Sequence, residues 1–322
     1  MGWRNEKVLI TGADHFVAIH LTEQLVKLGS KVKVLIRNDY QGSMGGLERL
    51  PAYIRNNIQI IFGNLTNPDI VDYVTKDIDI VFHFGILDSI PSNPINIRGY
   101  LEGTLIGTYN VLNSAKNSKV KKLIHISTAE VYGNVKDEII NESCILRAFS
   151  PNTGCDIGAE KLVEGFNHLY GMSTTIIRLF NAYGPIQSPR AIIPTIIGQA
   201  LNETTILLGD MHAIRDFIYV DDVINGIIRS SENSKLSGEA VNLGSGNGIS
   251  IGDLADKIIN LIGREVEVLF DATRIRLQDQ NIDKMVADTS KAKELIGWQP
   301  KVSLDDGLNM TIEWFAEHMD NR

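Results

Sequence analysis

Cysteine is nearly absent: the 322 residues contain two, Cys144 and Cys155, too few for a disulfide framework, so free thiols in a reducing, cytoplasmic setting are expected. Long apolar runs are missing as well. No uninterrupted stretch approaches the ~18 residues that cross a bilayer, and the opening Met1-Gly2-Trp3-Arg4-Asn5-Glu6-Lys7 lacks the apolar segment of a signal peptide. No membrane partner is expected. Positive charge is in deficit, with 31 Lys and Arg against 39 Asp and Glu and a net charge of −8, which disfavours a nucleic-acid partner because phosphate backbones need a basic surface. Repeats, low-complexity segments and charge runs do not occur, and no metal site is expected. What is present is a composition of 43% hydrophobic and 22% charged residues, enough to bury a substantial core. The length exceeds one modest domain and falls short of three.

Apolar strands alternate with helical patterns through the first half. Lys7 to Ile10 reads as a strand with Thr11-Gly12 as its turn. From Asp14 to Leu28 apolar residues recur at helical spacing (Val17, Leu21, Leu25, Leu28), with Gly29 as the stop. Further strands are expected over Lys31–Ile36, Ile58–Phe62, Ile78–Phe84, Lys122–Ser127 and Thr174–Phe180, and helices over Gly99–Asn117 and Gly158–Tyr170. This alternation predicts an α/β fold, a parallel sheet covered on both faces. After Pro185, Pro189 and Pro194 the pattern shortens, with helices around Ile192–Leu201, Val220–Ser230 and Ile251–Ile262. That half reads as a smaller substrate-covering lobe with excursions back to the first, the division falling at 1–180 and 181–322.

Six strings occur in order along the chain: Val8-Leu9-Ile10-Thr11-Gly12; Ser127-Thr128-Ala129-Glu130-Val131-Tyr132-Gly133; Ser150-Pro151 followed by Gly158-Ala159-Glu160-Lys161; Arg178 to Pro185; Arg215 to Asp222; and Ala287 to Ala292. Together they resemble the extended short-chain dehydrogenase/reductases, in particular the nucleotide-sugar epimerases and 4,6-dehydratases, over nearly the whole chain. The resemblance implies a Rossmann-like doubly wound parallel sheet with a smaller C-terminal substrate-binding lobe, NAD or NADP as cofactor, and a nucleotide sugar as ligand. It also implies pairing, as a homodimer or with an active relative, through the helices at Gly99–Asn117 and Gly158–Tyr170.

The cofactor end departs from the family. Its first turn reads Thr-Gly-x-x-Gly-x-x-Gly; here Gly12 matches, but His15 and Ala18 stand at the second and third glycines. The second glycine lets backbone approach the dinucleotide pyrophosphate. An imidazole there either donates to a phosphate or fills the space that phosphate would need. Asn64 stands where the family usually has an Asp facing the adenine, Gly85-Ile86 replaces an Ala-Ala pair, and Thr104 replaces an Asn. Arg37, after the second strand, is either a partner for a 2′-phosphate, favouring NADP, or a solvated arginine.

The catalytic end departs further. The family's redox step uses a tyrosine and, one helical turn on, a lysine whose charge lowers the tyrosine's pKa. Counted from Ser150-Pro151, these positions are Asn152 and Asp156, and no shifted Tyr–Lys pair is available around Lys161 or Tyr170. Losing a positioned acid/base costs ~10²–10⁴-fold in rate. Thr128 matches the residue that touches the reacting sugar hydroxyl, and Glu130 matches a dehydratase's carboxylate base, while Ala129 lacks the Asp acid of many dehydratases. Glu130, Asp156 and Cys155 form either a new acid–base or nucleophilic set or a helix start freed of its old duty.

The sugar-nucleotide end is better kept. Asn181 matches the asparagine that holds the nucleotide diphosphate, and Arg215 and Arg276 resemble its diphosphate-binding arginines, with Arg274 a competitor for the second role. Changes concentrated at the cofactor and catalytic ends predict a sugar-nucleotide binder without standard redox equipment. The alternatives are a non-redox lyase, hydrolase or epimerase using Glu130 and Asp156, and a still active NAD(P)-dependent enzyme.

Overall fold

The computed structural model describes residues 2–37, 43–85, 97–135, 139–274 and 282–318. Thirteen strands are seen among them: β1 (Lys7–Thr11), β2 (Lys31–Ile36), β3 (Ile58–Phe62), β4 (Ile80–Phe84), β5 (Lys122–Thr128), β6 (Thr174–Leu179), β7 (Asn181–Tyr183), β8 (Thr205–Leu208), β9 (Ile214–Tyr219), β10 (Glu239–Leu243), β11 (Gly248–Ser250), β12 (Glu267–Phe270) and β13 (Lys284–Met285). Seven of them form one all-parallel sheet in the order β10-β6-β5-β4-β1-β2-β3. This is the doubly wound arrangement, and the winding reverses between β1 and β4. Ligands bind at such a reversal, outside the carboxyl ends of the strands.

Burial explains the strand sequences. β4 is buried at every position, and β1 at all but its first, as expected of central parallel strands covered by helices on both faces. One core packs Val8, Ile10, Phe82 and Ile124 against the helix Phe16–Lys27 and the second half of the chain. The other packs Leu9, Val81 and Leu123 against the helices that carry Val111, Leu112, Val163 and Phe166.

The helix expected from Gly158 begins at Pro151 and runs to Tyr170. Ser150 and Thr153 form a reciprocal capping box, Pro151 occupies the first turn, and Gly171 closes the helix in the left-handed conformation at φ 65°. Gly154 and Gly158 hid this early start from a propensity reading. The helix expected over Gly99–Asn117 starts at Ile97 and contains a π-helical segment, Glu102–Ile106, before continuing as Gly107–Asn117. The side-chain oxygen of Thr104, inside that segment, is buried without a hydrogen-bond partner.

The second half builds two small sheets. β9 pairs with β7, β11 and β13, and β8 pairs with β12. Asp216 on β9 is fully buried and accepts from the backbone of Ser245, Gly246 and Ala287 at 2.7, 2.9 and 3.0 Å, and from the Ser245 hydroxyl. Asp222 accepts from Lys301 and Val302 backbone, both at 2.8 Å. Two acids of the Arg215–Asp222 string thus organise loops, while Arg215 faces the cleft. No helix among the described residues is long and apolar enough to cross a membrane.

Candidate functional site

A cleft of about 830 Å³ opens where the sheet's winding reverses, walled on one side by the loop after β1 and the ends of β4 and β5, and on the other by the second half of the chain. Gly12 turns that loop with φ +66°, and a Cβ there would lie 2.3 Å from the Phe84 carbonyl oxygen, so no side chain is tolerated. His15 caps the helix Phe16–Lys27, its Nδ1 accepting from the Val17 N–H at 3.3 Å. Its ring also stacks on Phe84, with centroids 5.7 Å apart and planes at 28°.

This geometry tests the loop against a dinucleotide. A pyrophosphate on a helix N-terminus is held by the free N–H groups of the first turn. Here the imidazole accepts one of those donors, and its ring lies in the groove against Phe84. As folded, these residues do not fit the pyrophosphate. Ala18 is fully buried on the same helix. Arg37 is exposed at the end of β2. Asn64 is exposed and uses its side-chain oxygen to accept from Thr66 N–H at 3.0 Å, an Asx turn leading into the helix Pro68–Thr75.

Thr128 and Glu130 sit on the cleft wall at the end of β5. Thr128 Oγ1 accepts from the Glu130 N–H at 3.2 Å and starts the short 3₁₀ turn Ala129–Tyr132. Asn152 is half-buried in the first turn of the helix Pro151–Tyr170. Asp156, one turn on, is 3% exposed and does not line the cleft. Its Oδ1 accepts from the Tyr100 hydroxyl at 2.8 Å. Burial pushes its carboxyl up to about 7; the Tyr100 hydrogen bond opposes that rise, and the charges of Glu130 and Glu160 add to it. The Cys155 thiol is also raised by burial and by the adjacent Asp156, so it is held as a thiol. Tyr100 is displaced upward in turn, first by burial and then by Asp156, so this phenol donates and does not serve as a base.

Beneath the wall lies a closed polar chain. Glu160, fully buried, takes a hydrogen bond from Ser127 Oγ at 2.5 Å and a forked contact from Arg178, closest at 2.7 Å. Arg178 also donates to the Tyr132 hydroxyl at 2.9 Å, which donates to Asn242 Oδ1 at 2.7 Å. On the β1 side, His83 bridges Thr11 and Thr108 hydroxyls at 2.7 and 2.9 Å, its ring tilted at 35° to that of His125 with centroids 5.3 Å apart. Burial holds both imidazoles below their usual range.

The cleft is also lined by Asn181, whose Nδ2 donates to the Asp216 carbonyl at 3.3 Å, and by Arg215, which donates to the Ile214 carbonyl at 2.9 Å. Arg274 also lines the cleft, tied to the Leu207 carbonyl at 2.9 Å and paired with Asp271 at 3.2 Å. Arg276 lies outside the described residues. The cleft therefore gathers His15, Thr128, Glu130, Asn181 and Arg215, and leaves Asp156 behind its wall. Sequence reasoning missed Tyr100 and Phe84, because nothing local marks either as facing these positions. No group of three metal-ligating side chains occurs among the described residues.

A model of the GDP-mannose 4,6-dehydratase family matches residues 9–311. The chain is 30% identical over 320 residues to the UDP-glucuronate 4-epimerase of Thermodesulfobacterium geofontis, covering 97% of each. It is 27% identical over 325 residues to a trifunctional UDP-glucose 4,6-dehydratase/UDP-4-keto-6-deoxy-D-glucose 3,5-epimerase/UDP-4-keto-L-rhamnose-reductase of Arabidopsis thaliana, covering 98% of this chain and 48% of that one. The chain thus spans about half the length of that relative. Among solved structures, a UDP-glucuronic acid 4-epimerase variant from Bacillus cereus, in complex with UDP-4-deoxy-4-fluoro-glucuronic acid and NAD, matches at TM-score 0.84 and 27% identity, covering 97% of this chain and 99% of that one.

Proposed function

Since the chain belongs to the GDP-mannose 4,6-dehydratase family of extended short-chain dehydrogenase/reductases, the nucleotide-sugar epimerases and dehydratases, we propose that it binds a nucleotide sugar without performing the family's dinucleotide-dependent hydride transfer. The observation that carries this reading is His15, whose imidazole takes the first-turn donor of the helix Phe16–Lys27 and stacks on Phe84. Asn152 and Asp156 support it, since an amide cannot titrate and a carboxylate reverses the lysine's charge. Residues 1–180 form the dinucleotide-binding-type domain in this reading, and 181–322 mainly the substrate-binding lobe. Arg215 holds the diphosphate with Asn181 beside it, and Thr128 and Glu130 face the sugar.

Thermal-shift and calorimetric titration test it. UDP-, GDP-, CDP- and TDP-sugars are offered alongside NAD and NADP. The expected result is a shift with at least one nucleotide sugar and none with either dinucleotide. Arg215→Ala is expected to weaken the sugar nucleotide by about 10- to 100-fold, the loss of a charge-assisted contact to phosphate. Micromolar affinity for NAD or NADP would overturn the reading.

A second reading rests on the same wall. Glu130 lines the cleft while Asp156 lies behind its wall, so non-redox acid–base chemistry on the bound sugar falls to Glu130, with Asp156 acting only through its charge. Turnover of a bound nucleotide sugar that disappears in Glu130→Gln, followed by mass spectrometry, would replace the binding-only reading with this one.

We further propose that two copies pair, or one copy pairs with an active relative, through the helices at 97–117 and 151–170. They expose Leu101 at 41%, Tyr109 at 46% and Leu169 at 71%, a surface better covered than wet. Light scattering is expected to report a dimer that Tyr109→Arg converts to monomer; a monomeric parent protein would refute it.

A further inference from the structure

The turn just after β7 is held in a form that its own sequence disfavours. Gly184, Pro185, Ile186 and Gln187 close a β-turn, with the Gln187 N–H donating to the Gly184 carbonyl at 3.4 Å. Pro185 at the second position suits types I and II alike. The third position, Ile186, has φ +67°, the left-handed value of type II, which calls for glycine or asparagine. Among the described residues Ile186 is the one β-branched side chain on a positive φ. A flip of the peptide between Pro185 and Ile186 would give type I, which most residues tolerate. The next side chain adds a second mismatch. Gln187 Nε2 donates to the Ala182 carbonyl at 2.9 Å, while its Oε1 is buried with no hydrogen-bond partner among the described residues.

Two contacts hold the strained form. His20, on the helix Phe16–Lys27, donates from Nε2 to the Pro185 carbonyl at 3.0 Å, and a flip would swing that carbonyl away. The Ile186 side chain packs where Gly46 leaves room, since a Cβ on Gly46 would run into Ile19 Cδ1 and lie 3.3 Å from Ile186 Cγ2. Ile186 thus joins its own loop to the helix Phe16–Lys27 and to the turn Gly45–Arg49. Ile19, Gly46, Ile186 and Gln187 all line the cleft, and the lining continues along the chain to Ile193; His20 is not part of it.

Backbone strain of this kind persists only where the surroundings over-determine it, and it clusters at ligand clamps and switch regions. Resting on the reading that this cleft takes a nucleotide sugar, we propose that His20 is a positioning residue for that ligand, a latch that keeps the turn in its type II form and so fixes the wall from Ile186 to Ile193 that the ligand meets. Without the latch the turn relaxes toward type I. The binding-competent wall is then only fractionally populated, and the affinity falls by that fraction. His20 acts through the Pro185 carbonyl and not by touching the ligand.

A double-mutant cycle on the full chain tests this, read in ligand-free stability and in affinity for whichever of the UDP-, GDP-, CDP- and TDP-sugars binds most tightly. His20→Phe keeps a ring beside Phe16 and removes the donor, whereas His20→Gln keeps a donor. His20→Phe is expected to raise Kd at least about tenfold, and His20→Gln less than about threefold. In Ile186→Gly and Ile186→Asn backgrounds, which accept a left-handed φ without the latch, His20→Phe is expected to raise Kd less than about twofold. Without ligand, the fall in urea midpoint caused by His20→Phe is likewise expected to be smaller in those backgrounds. Unchanged affinity in His20→Phe, an equal loss in all three backgrounds, or coupling confined to stability overturns the inference and leaves the ligand reading standing. Binding of no nucleotide sugar by the parent chain overturns both.

Discussion

Glu160→Ala is expected to destabilise the protein by about 3–5 kcal/mol, the largest single effect on stability predicted from this structure. Glu160 is fully buried, Arg178 is 4% exposed in its side chain, and the two are joined by a forked contact closest at 2.7 Å. Removing the carboxylate leaves a guanidinium inside the molecule with only the Tyr132 hydroxyl and the Glu142 carbonyl in reach. It also leaves the Ser127 hydroxyl without its acceptor. The cost is that of an uncompensated buried charge and exceeds the worth of the pair itself. Glu160→Gln keeps the shape and one acceptor and is expected to lose less. Urea unfolding followed by circular dichroism measures both, and a loss below about 1 kcal/mol for Glu160→Ala would contradict the account. Because Ser127 ends next to Thr128, the damage is expected to reach the cleft wall as weaker ligand binding.

Asp156→Asn is expected to have the opposite sign and to depend on pH. The carboxyl of Asp156 titrates at about 7 in the folded chain against an ordinary 3.8, chiefly because of burial. A group whose folded value is raised holds its proton more tightly when folded. Its stabilising contribution is therefore complete below pH 3.8 and is lost as pH rises through 7. At pH 8.5 the folded protein carries an ionised, buried carboxylate, and the amide relieves it. The expected gain is about 4 kcal/mol at pH 8.5, shrinking toward zero near pH 4. Thermal unfolding of both proteins across that range measures it. A gain that does not change with pH would mean that Asp156 does not titrate in this window.

Much of the architecture was legible in sequence. The strands at Lys31–Ile36 and Ile58–Phe62 fall where the apolar patterns place them, and the alternation with helices predicts the parallel sheet. Legibility failed where local signals were mixed. Gly154 and Gly158 weakened the start of the helix that Ser150 and Pro151 in fact cap, and nothing in Glu102–Ile106 announces a π-helical turn. At the site, residue types were readable but geometry was not. Asp216 and Asp222 belong to the same string as Arg215, yet they bind backbone while Arg215 faces the cleft.

The identities at the decisive positions were in the sequence alone: His15 where backbone should approach a phosphate, an amide and a carboxylic acid at Asn152 and Asp156, and an arginine at 215. Folding decided what each of them does. His15 caps a helix because its ring reaches the Val17 N–H and rests on Phe84, and Asp156 holds a proton because folding buries it, against the opposing hydrogen bond from Tyr100, 56 residues away. Spacing along a chain reports only which residues share a face of one element. A proton affinity or a filled groove depends on what a second element brings within a few ångströms, and on the water it removes.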